Sequence, residues 1–218
     1  MKTLFFDLDG TILDTLEDLK NAVNHALIFC NLPEKDLEFV RKAIGNGTQV
    51  LIKRCTPCSL NDNERQKVFD CFKSYYLSHY DDYTKPYPGI KELLLSLKGK
   101  CHLVVVSNKD NDLTQKLINK EFPGLFDVVQ GSYLDKPKKP DPYLINKIIK
   151  DNNINTDDCL YIGDTDVDKK SAINSNLDYC LVSYGYRNKN ELEKICPNDI
   201  PFNSVKELQV YLLKWVNL

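Results

Sequence analysis

Two carboxylates stand one residue apart at the end of the first apolar run of the chain. Leu4, Phe5 and Phe6 are typical of a strand buried on both faces, and Asp7 and Asp9 follow that strand directly. Two carboxylates at the edge of a core repel each other and resist the loss of water. A cation, a catalytic task or both are therefore expected at this point of the chain.

More polar groups follow later apolar runs, and they suit a single ligand. Ligands of parallel sheets bind outside the carboxyl ends of the strands, where such groups gather. Acids that hold a divalent cation, hydroxyl and amide groups, and a lysine are what a transferring phosphoryl group requires, so the set indicates phosphate chemistry. Its later members are Ser107 and Asn108, Gly163 and Asp164, and a lysine of the basic stretch Asp135–Pro140.

The elements that must position these groups alternate between strand and helix after the Pro- and Gly-containing segment Lys85–Gly89. This alternation predicts a Rossmann-like parallel sheet of the α/β class with right-handed crossovers. Residues 14–84 show apolar spacing typical of helices and no convincing strand, so they predict an all-helical domain inserted into a core of residues 1–13 and 85–218. The predicted strands after the first are 102–106, 128–129, 159–162 and 179–182, and the predicted core helices are 90–98, 110–120, 142–150, 168–176 and 205–216.

Composition limits the class of partner. The 218 residues carry a formal charge of -2, which gives no overall attraction to nucleic acid. No apolar run reaches the roughly 20 residues that span a bilayer, and no secretory signal is evident, so a cytoplasmic protein without membrane contact is expected. The eight cysteines are expected to be free thiols. Cys55 and Cys58 have zinc-ligand spacing without a matching second pair.

In order along the chain, the motifs resemble those of the haloacid dehalogenase-like hydrolases. The first motif is matched by the stretch from Asp7 to Thr11, and the second by Ser107 after its apolar run. Lys139, in Lys-Pro-Asp-Pro, matches the third motif. Gly163 and Asp164, with Asp168, match the fourth. The resemblance extends from residue 4 to about 185, and the helical insertion resembles the small helical cap of the family.

The resemblance implies separate roles for the two acids of the first motif. Asp7 would be the nucleophile that forms an aspartyl-phosphate, and Asp9 would be the general acid and then the general base. Mg²⁺ would lie on the Asp7 carboxylate, the Asp9 carbonyl and Asp164. Asp168 would support the site. The phosphate would be bound by Gly10, Thr11, Ser107, Asn108 and Lys139, with Lys139 also acting in catalysis.

The helical insertion bears on the choice of substrate. Arg41 and the segment Gly45, Asn46 and Gly47 resemble the cap of the phosphoglycolate phosphatase branch, and so do the stretches 87–90 and 183–186 of the core. The expected function is a Mg²⁺-dependent phosphomonoesterase of small anionic metabolites, with phosphoglycolate the favoured substrate, acting as a monomer or homodimer. The alternatives are a sugar-phosphate mutase, a pyrophosphatase or nucleotidase on the same scaffold, and a non-catalytic phosphate-binding module.

Each motif also has a simpler interpretation. Asp164, Asp166 and Asp168 have the spacing of a calcium loop, although its sixth position is lysine instead of glycine. Ser107 and Asn108 could cap a helix, and Gly45–Gly47 could be only a turn. The basic stretch could be a solvated loop, and Lys136 competes with Lys139 as its phosphate-binding lysine. Asp166 is expected to be a surface residue, and the histidines His25, His79 and His102 show no acid-base spacing.

Overall fold

A computed structural model describes residues 1–217 of the chain. Contacts between residues divide it into two compact units: Met1–Asp14 together with the chain from Pro86 onward, and Thr15–Lys85. The predicted domains, residues 1–13 with 85–218 and residues 14–84, remain a prediction.

The first unit contains a five-stranded parallel sheet, as predicted for the α/β class. Its strand order is β5-β4-β1-β6-β7, so β1, which carries the paired acids at its end, lies in the middle between β4 and β6. Polar residues at the ends of β1, β4 and β6 are thereby brought to one edge of the sheet. The strands are β1 Thr3–Phe6, β4 His102–Asp110, β5 Val128–Ser132, β6 Cys159–Gly163 and β7 Asp178–Leu181; the short strands β2 Leu13–Asp14 and β3 Lys85–Pro86 lie outside this sheet.

Helices of the first unit follow the strands in the predicted alternation. Apolar residues of β1, β4 and β6 pack against α7 in one core cluster that includes Phe5, Val104, Tyr161 and Ile145. Burial of such side chains is the main source of stability for a sheet covered by helices. The helices are α5 Ile90–Leu97, α6 Asn111–Glu121, α7 Tyr143–Asp151, α8 Asp166–Asn174, α9 Lys189–Ile195 and α10 Val205–Asn217, with a 3-10 helix at Thr156–Asp158.

Three details differ from the sequence predictions. β4 continues to Asp110 instead of ending before Ser107, with an irregular register against β5 between Val106 and Asp110. α8 begins at Asp166, two residues before the predicted start, because Thr165 caps it. α9 was not predicted; Asn188 begins it with a capping box.

The elements that lie wholly within the second unit are all helices. Its helices are α1 Leu16–Phe29, α2 Leu37–Ala43, α3 Thr48–Cys55 and α4 Asp62–His79. Asp18 of α1 is buried and accepts hydrogen bonds from the backbone N–H groups of Tyr83 and Thr84 and from the Thr84 hydroxyl, at 2.7–3.1 Å. The start and the end of this unit are therefore tied together by one carboxylate.

Among residues 1–217, no helix combines the length and the apolar character needed to cross a bilayer.

Candidate active site

The loop after β1 turns sharply so that Asp7 and Asp9 stay at the sheet edge. The Asp7 N–H donates to the Ile162 carbonyl at 2.9 Å, and the Gly10 N–H donates to the Leu13 carbonyl at 2.8 Å. Gly10 has a φ of 87°, a conformation that side chains disfavour, and a Cβ there would overlap the Asp164 carboxylate. Glycine is therefore required where the loop approaches Asp164.

Lys139 lies at the centre of the site. Its Nζ is 2.7 Å from Asp7 Oδ1 and 2.9 Å from Asp168 Oδ1, and it donates to the Tyr161 hydroxyl at 2.8 Å. Burial by itself would lower the pKa of this ammonium, but the carboxylates of Asp168 and Asp7 raise the pKa well above its usual value. Lys139 therefore stays charged and connects the loop after β1, strand β6 and helix α8 through Asp7, Tyr161 and Asp168.

Asp7, Asp164 and Asp168 form the group of acids that could hold a metal ion. One carboxylate oxygen of each lies within 4.8 Å of the others, and all three residues are buried. Three carboxylates beside the single ammonium of Lys139 give this cluster a formal charge of -2. Oxygen ligands with such a charge fit a hard divalent cation such as Mg²⁺.

Burial and the neighbouring negative charges raise the pKa values of two acids of this cluster. Burial raises the pKa of Asp7 to about 7, and the Asp168 carboxylate adds to this effect while Lys139 opposes it. Burial, followed by the charges of Asp168 and Asp7, raises the pKa of Asp164 well above its usual value. A bound cation would reverse both shifts, because it favours the ionised carboxylates.

Asp168 supports the site from the first turn of α8. Its Oδ2 accepts from the Thr165 hydroxyl at 2.7 Å and from the Thr165 N–H at 3.1 Å. The Asp168 N–H donates in turn to the Thr165 hydroxyl oxygen at 3.4 Å, which completes a capping box. Although burial acts in the opposite direction, Lys139 and Thr165 hold the pKa of Asp168 below its usual value.

Asp166 forms an ion pair with Lys170 on the same helix. Because α8 already begins at Asp166, the stretch 164–168 is not a calcium loop.

Asn108 holds the backbone of Lys139. The Asn108 side chain donates to the Lys139 carbonyl at 3.0 Å and accepts from the Lys139 N–H at 2.7 Å. Ser107 is buried, and its hydroxyl oxygen accepts from the Lys109 N–H at 3.1 Å. Neither residue caps α6, because Asp110 does so through the Asp112 N–H. Binding of phosphate by Ser107, Asn108, Gly10 and Thr11 remains a prediction.

Asp9 and Asp164 are each fixed by groups from other segments. Lys109 Nζ lies 3.0 Å from Asp9 Oδ1. The Asp164 carboxylate accepts from the Tyr186 N–H at 2.6 Å and from the Thr11 hydroxyl at 3.3 Å. The 183–186 segment also contacts the first loop, because the Tyr184 hydroxyl donates to the Thr11 carbonyl at 3.2 Å.

The predicted substrate residues of the insertion belong to the second unit. Arg41 is on α2 and forms an ion pair with Glu38 at 2.7 Å. Gly45 and Gly47 lie between α2 and α3 with positive φ angles, and the Asn46 side chain accepts from Arg54 at 2.8 Å. A role in substrate binding remains a prediction for all four residues.

The other sequence candidates lie outside the acid cluster. Lys136 is exposed and forms an ion pair with Asp135, which leaves Lys139 as the lysine of that stretch beside Asp7. Cys55 is buried and Cys58 exposed, both as free thiols, and burial raises the pKa of Cys55 to about 11. Within the described residues neither cysteine belongs to a cluster of potential metal ligands.

Three residues that contact the predicted site residues are not predicted from the sequence. The apolar run around Tyr161 predicts a core residue, yet the Tyr161 hydroxyl contacts both Lys139 and Asp168. Lys109 could have been noticed as a charge just after the predicted strand 102–106. Tyr186 acts through its backbone N–H, for which side-chain type gives no signal.

Comparisons with known proteins agree with this arrangement. Residues 4–182 match the model of the haloacid dehalogenase-like hydrolase family. The chain is 33% identical to phosphoglycolate phosphatase of Aquifex aeolicus, covering 85% of this chain and 86% of that protein. It is 30% identical to phosphoglycolate phosphatase of Colwellia psychrerythraea, covering 97% and 96%. A crystal structure from Lactobacillus delbrueckii subsp. bulgaricus, provisionally named a phosphoglycolate phosphatase, matches with a TM-score of 0.89 and 31% identity, covering 97% of this chain and 99% of that one.

Proposed function

Because the chain belongs to the haloacid dehalogenase-like hydrolases and is a phosphatase of their phosphoglycolate phosphatase-like group, we propose that it hydrolyses phosphoglycolate with Mg²⁺ through an aspartyl-phosphate at Asp7. The observation that carries the proposal is the contact of Lys139 with both Asp7 and Asp168, beside the buried carboxylate of Asp164. This is a site with a nucleophile, a fixed positive charge and a set of cation ligands.

In the first step, an Asp7 carboxylate oxygen attacks the phosphorus atom and the bond to the ester oxygen breaks. Asp9 gives a proton to the departing alkoxide, so the alcohol leaves neutral. Lys139, held charged by its two carboxylates, offsets negative charge on the phosphoryl oxygens and on Asp7. Asp7 becomes the acyl phosphate.

In the second step, Asp9 takes a proton from water, and the water oxygen attacks the phosphorus atom of the acyl phosphate. The bond to Asp7 breaks, which releases inorganic phosphate and regenerates the carboxylate. The same side chain therefore acts as acid and then as base.

Mg²⁺ would be held by the carboxylates of Asp7 and Asp164 and by the Asp9 carbonyl. When bound, it supplies Lewis-acid polarisation of the phosphoryl group and neutralises the charge between phosphate and nucleophile. Because the Asp168 carboxylate already accepts hydrogen bonds from Lys139 and Thr165, it would support the other acids and would not bind the ion itself.

The test is a panel of phosphate esters assayed with Mg²⁺ and with a chelator. Phosphoglycolate is expected to give the highest kcat/KM and to lose turnover on chelation. The panel also contains a hexose phosphate, pyrophosphate and a nucleoside monophosphate. A different leading substrate would refute phosphoglycolate but keep the phosphatase mechanism, whereas turnover unaffected by chelator would refute the metal-dependent mechanism.

A further inference from the structure

A second buried lysine, Lys109, lies beside the general acid and has no task in the mechanism above. Its side chain is 4% exposed, compared with 17% for the Asp9 side chain that it contacts at 3.0 Å. Burying an ammonium is costly even when it is paired, so stability of the fold does not explain Lys109 and a functional role is expected.

The position of Lys109 relative to the reaction follows from the role of Asp9. A general acid must lie within hydrogen-bond distance, about 3 Å, of the oxygen that it protonates. Since Lys109 Nζ is 3.0 Å from Asp9 Oδ1, the ammonium lies within roughly 6 Å of the leaving-group oxygen. Lys139 differs, because it contacts the nucleophile Asp7.

An ammonium at that distance suits an anionic group close to the ester oxygen. In an O–CH2–COO⁻ leaving group, standard bond lengths place the nearer carboxylate oxygen about 3 Å from the ester oxygen. A lysine ammonium has three donors, so it can contact Asp9 and a second carboxylate together. The backbone at Lys109 is fixed as well, because its N–H donates to the Ser107 hydroxyl oxygen.

We infer that Lys109 determines specificity by binding the carboxylate of the leaving group, so that the site favours phosphate esters of 2-hydroxy acids. The inference rests on the proposed function, since it uses the role of Asp9 to locate the leaving group. The competing explanation is that Lys109 only positions Asp9, in which case its loss would affect every ester alike.

The experiment compares two substrates of matched size. Phosphoglycolate carries the carboxylate, and 2-hydroxyethyl phosphate carries an uncharged CH2OH group at the same position. Lys109→Met removes the charge and keeps most of the side-chain volume, and Lys109→Arg keeps the charge. Lys136→Met is the control because Lys136 is exposed and pairs with Asp135.

Wild type is expected to prefer phosphoglycolate in kcat/KM. In Lys109→Met, both substrates lose activity because Asp9 loses its ion pair, but phosphoglycolate loses about 30-fold more, chiefly through KM, as expected for one charge-assisted contact. Lys109→Arg recovers part of the difference, and Lys136→Met behaves as wild type. Circular dichroism and Tm of each variant identify any folding defect.

Equal losses on the two substrates would overturn the inference and leave the proposed function standing. A wild type that hydrolyses both esters equally well would also overturn it, because the carboxylate is then not recognised. If Lys109→Met does not fold, the same comparison is made with Lys109→Arg and wild type: a reduced preference for phosphoglycolate in kcat/KM supports the inference, and an unchanged preference overturns it. Wild type that turns over neither ester with Mg²⁺ would instead refute the proposed function.

Discussion

At the scale of residues, the site depends on how one ammonium is shared. Lys139 contacts the predicted nucleophile Asp7, the supporting Asp168 and the hydroxyl of Tyr161. The Tyr161 hydroxyl donates in turn to Asp168 Oδ1 at 3.2 Å. Tyr161 therefore restricts the position of Lys139.

Tyr161→Phe is predicted to lower kcat about tenfold with little change in KM, because Lys139 loses one of the acceptors that fix it. The fold should be kept, since the ring still fills its place in the core. Tyr179→Phe is the matched control: Tyr179 lies opposite Tyr161 in the register of β6 and β7, and its hydroxyl donates to Asp199 instead. Steady-state kinetics of both variants check this. Equal effects of the two substitutions would show that Tyr161 has no particular role.

At the scale of elements, the site is assembled where strand ends are fixed to the loops of other elements. Asn108 of β4 is joined by two hydrogen bonds to the backbone of Lys139, which precedes α7 by a few residues. This bond pair fixes the loop that carries the ammonium, so the geometry of β4 sets the position of Lys139.

Asn108→Ala is predicted to destabilise the protein by about 1–3 kcal/mol and to lower kcat, because the Lys139 N–H and carbonyl both lose their partner. Asn174→Ala is the control, since Asn174 makes one exposed hydrogen bond to the adjacent Pro140 carbonyl, and its loss is expected to cost less than about 0.5 kcal/mol. Urea unfolding monitored by circular dichroism gives both values. An Asn108→Ala variant as stable as Asn174→Ala would contradict this account of the loop.

Much of this element plan can be predicted from the sequence, and the reasons are physical. Apolar runs followed by Asp7, Ser107 and Asp164 predict parallel strands whose polar ends meet. Strands buried on both faces are continuous apolar runs, and their carboxyl ends lie at one edge of the sheet. The contacts of Lys139 with the Tyr161 hydroxyl and the Asn108 amide could not be predicted, because they depend on packing between segments that are distant in sequence. The extension of β4 past Ser107 is missed for a different reason, because polar residues at the end of a strand resemble a loop.

At the scale of the whole molecule, the acid cluster with its formal charge of -2 makes the free energy of folding less favourable. The buried carboxylates of Asp7 and Asp164 are held close to Asp168 by the fold, whereas in the unfolded chain they separate into water. An ion that binds only the folded state then stabilises it by mass action.

Mg²⁺ at ten times its Kd is predicted to stabilise the wild type by about 1.4 kcal/mol, which corresponds to a rise in Tm of roughly 3–6 °C. Thermal unfolding is measured with MgCl2 and with NaCl at equal ionic strength. Asp164→Asn removes one ligand charge and should lose most of the rise. The metal assignment would be wrong if the variant and the wild type were stabilised equally.

Turnover of phosphoglycolate by Asp7→Asn in Mg²⁺ tests the predicted role of Asp7 as the nucleophile. The substitution keeps the size of the side chain and removes the nucleophilic carboxylate, so kcat is predicted to fall at least about 1,000-fold while the circular dichroism spectrum stays that of wild type. Asp166→Asn, a variant of an acid that pairs with Lys170 on the surface of α8, should keep the wild-type rate. An Asp7→Asn enzyme that turned over phosphoglycolate within tenfold of wild type would show that Asp7 is not the nucleophile.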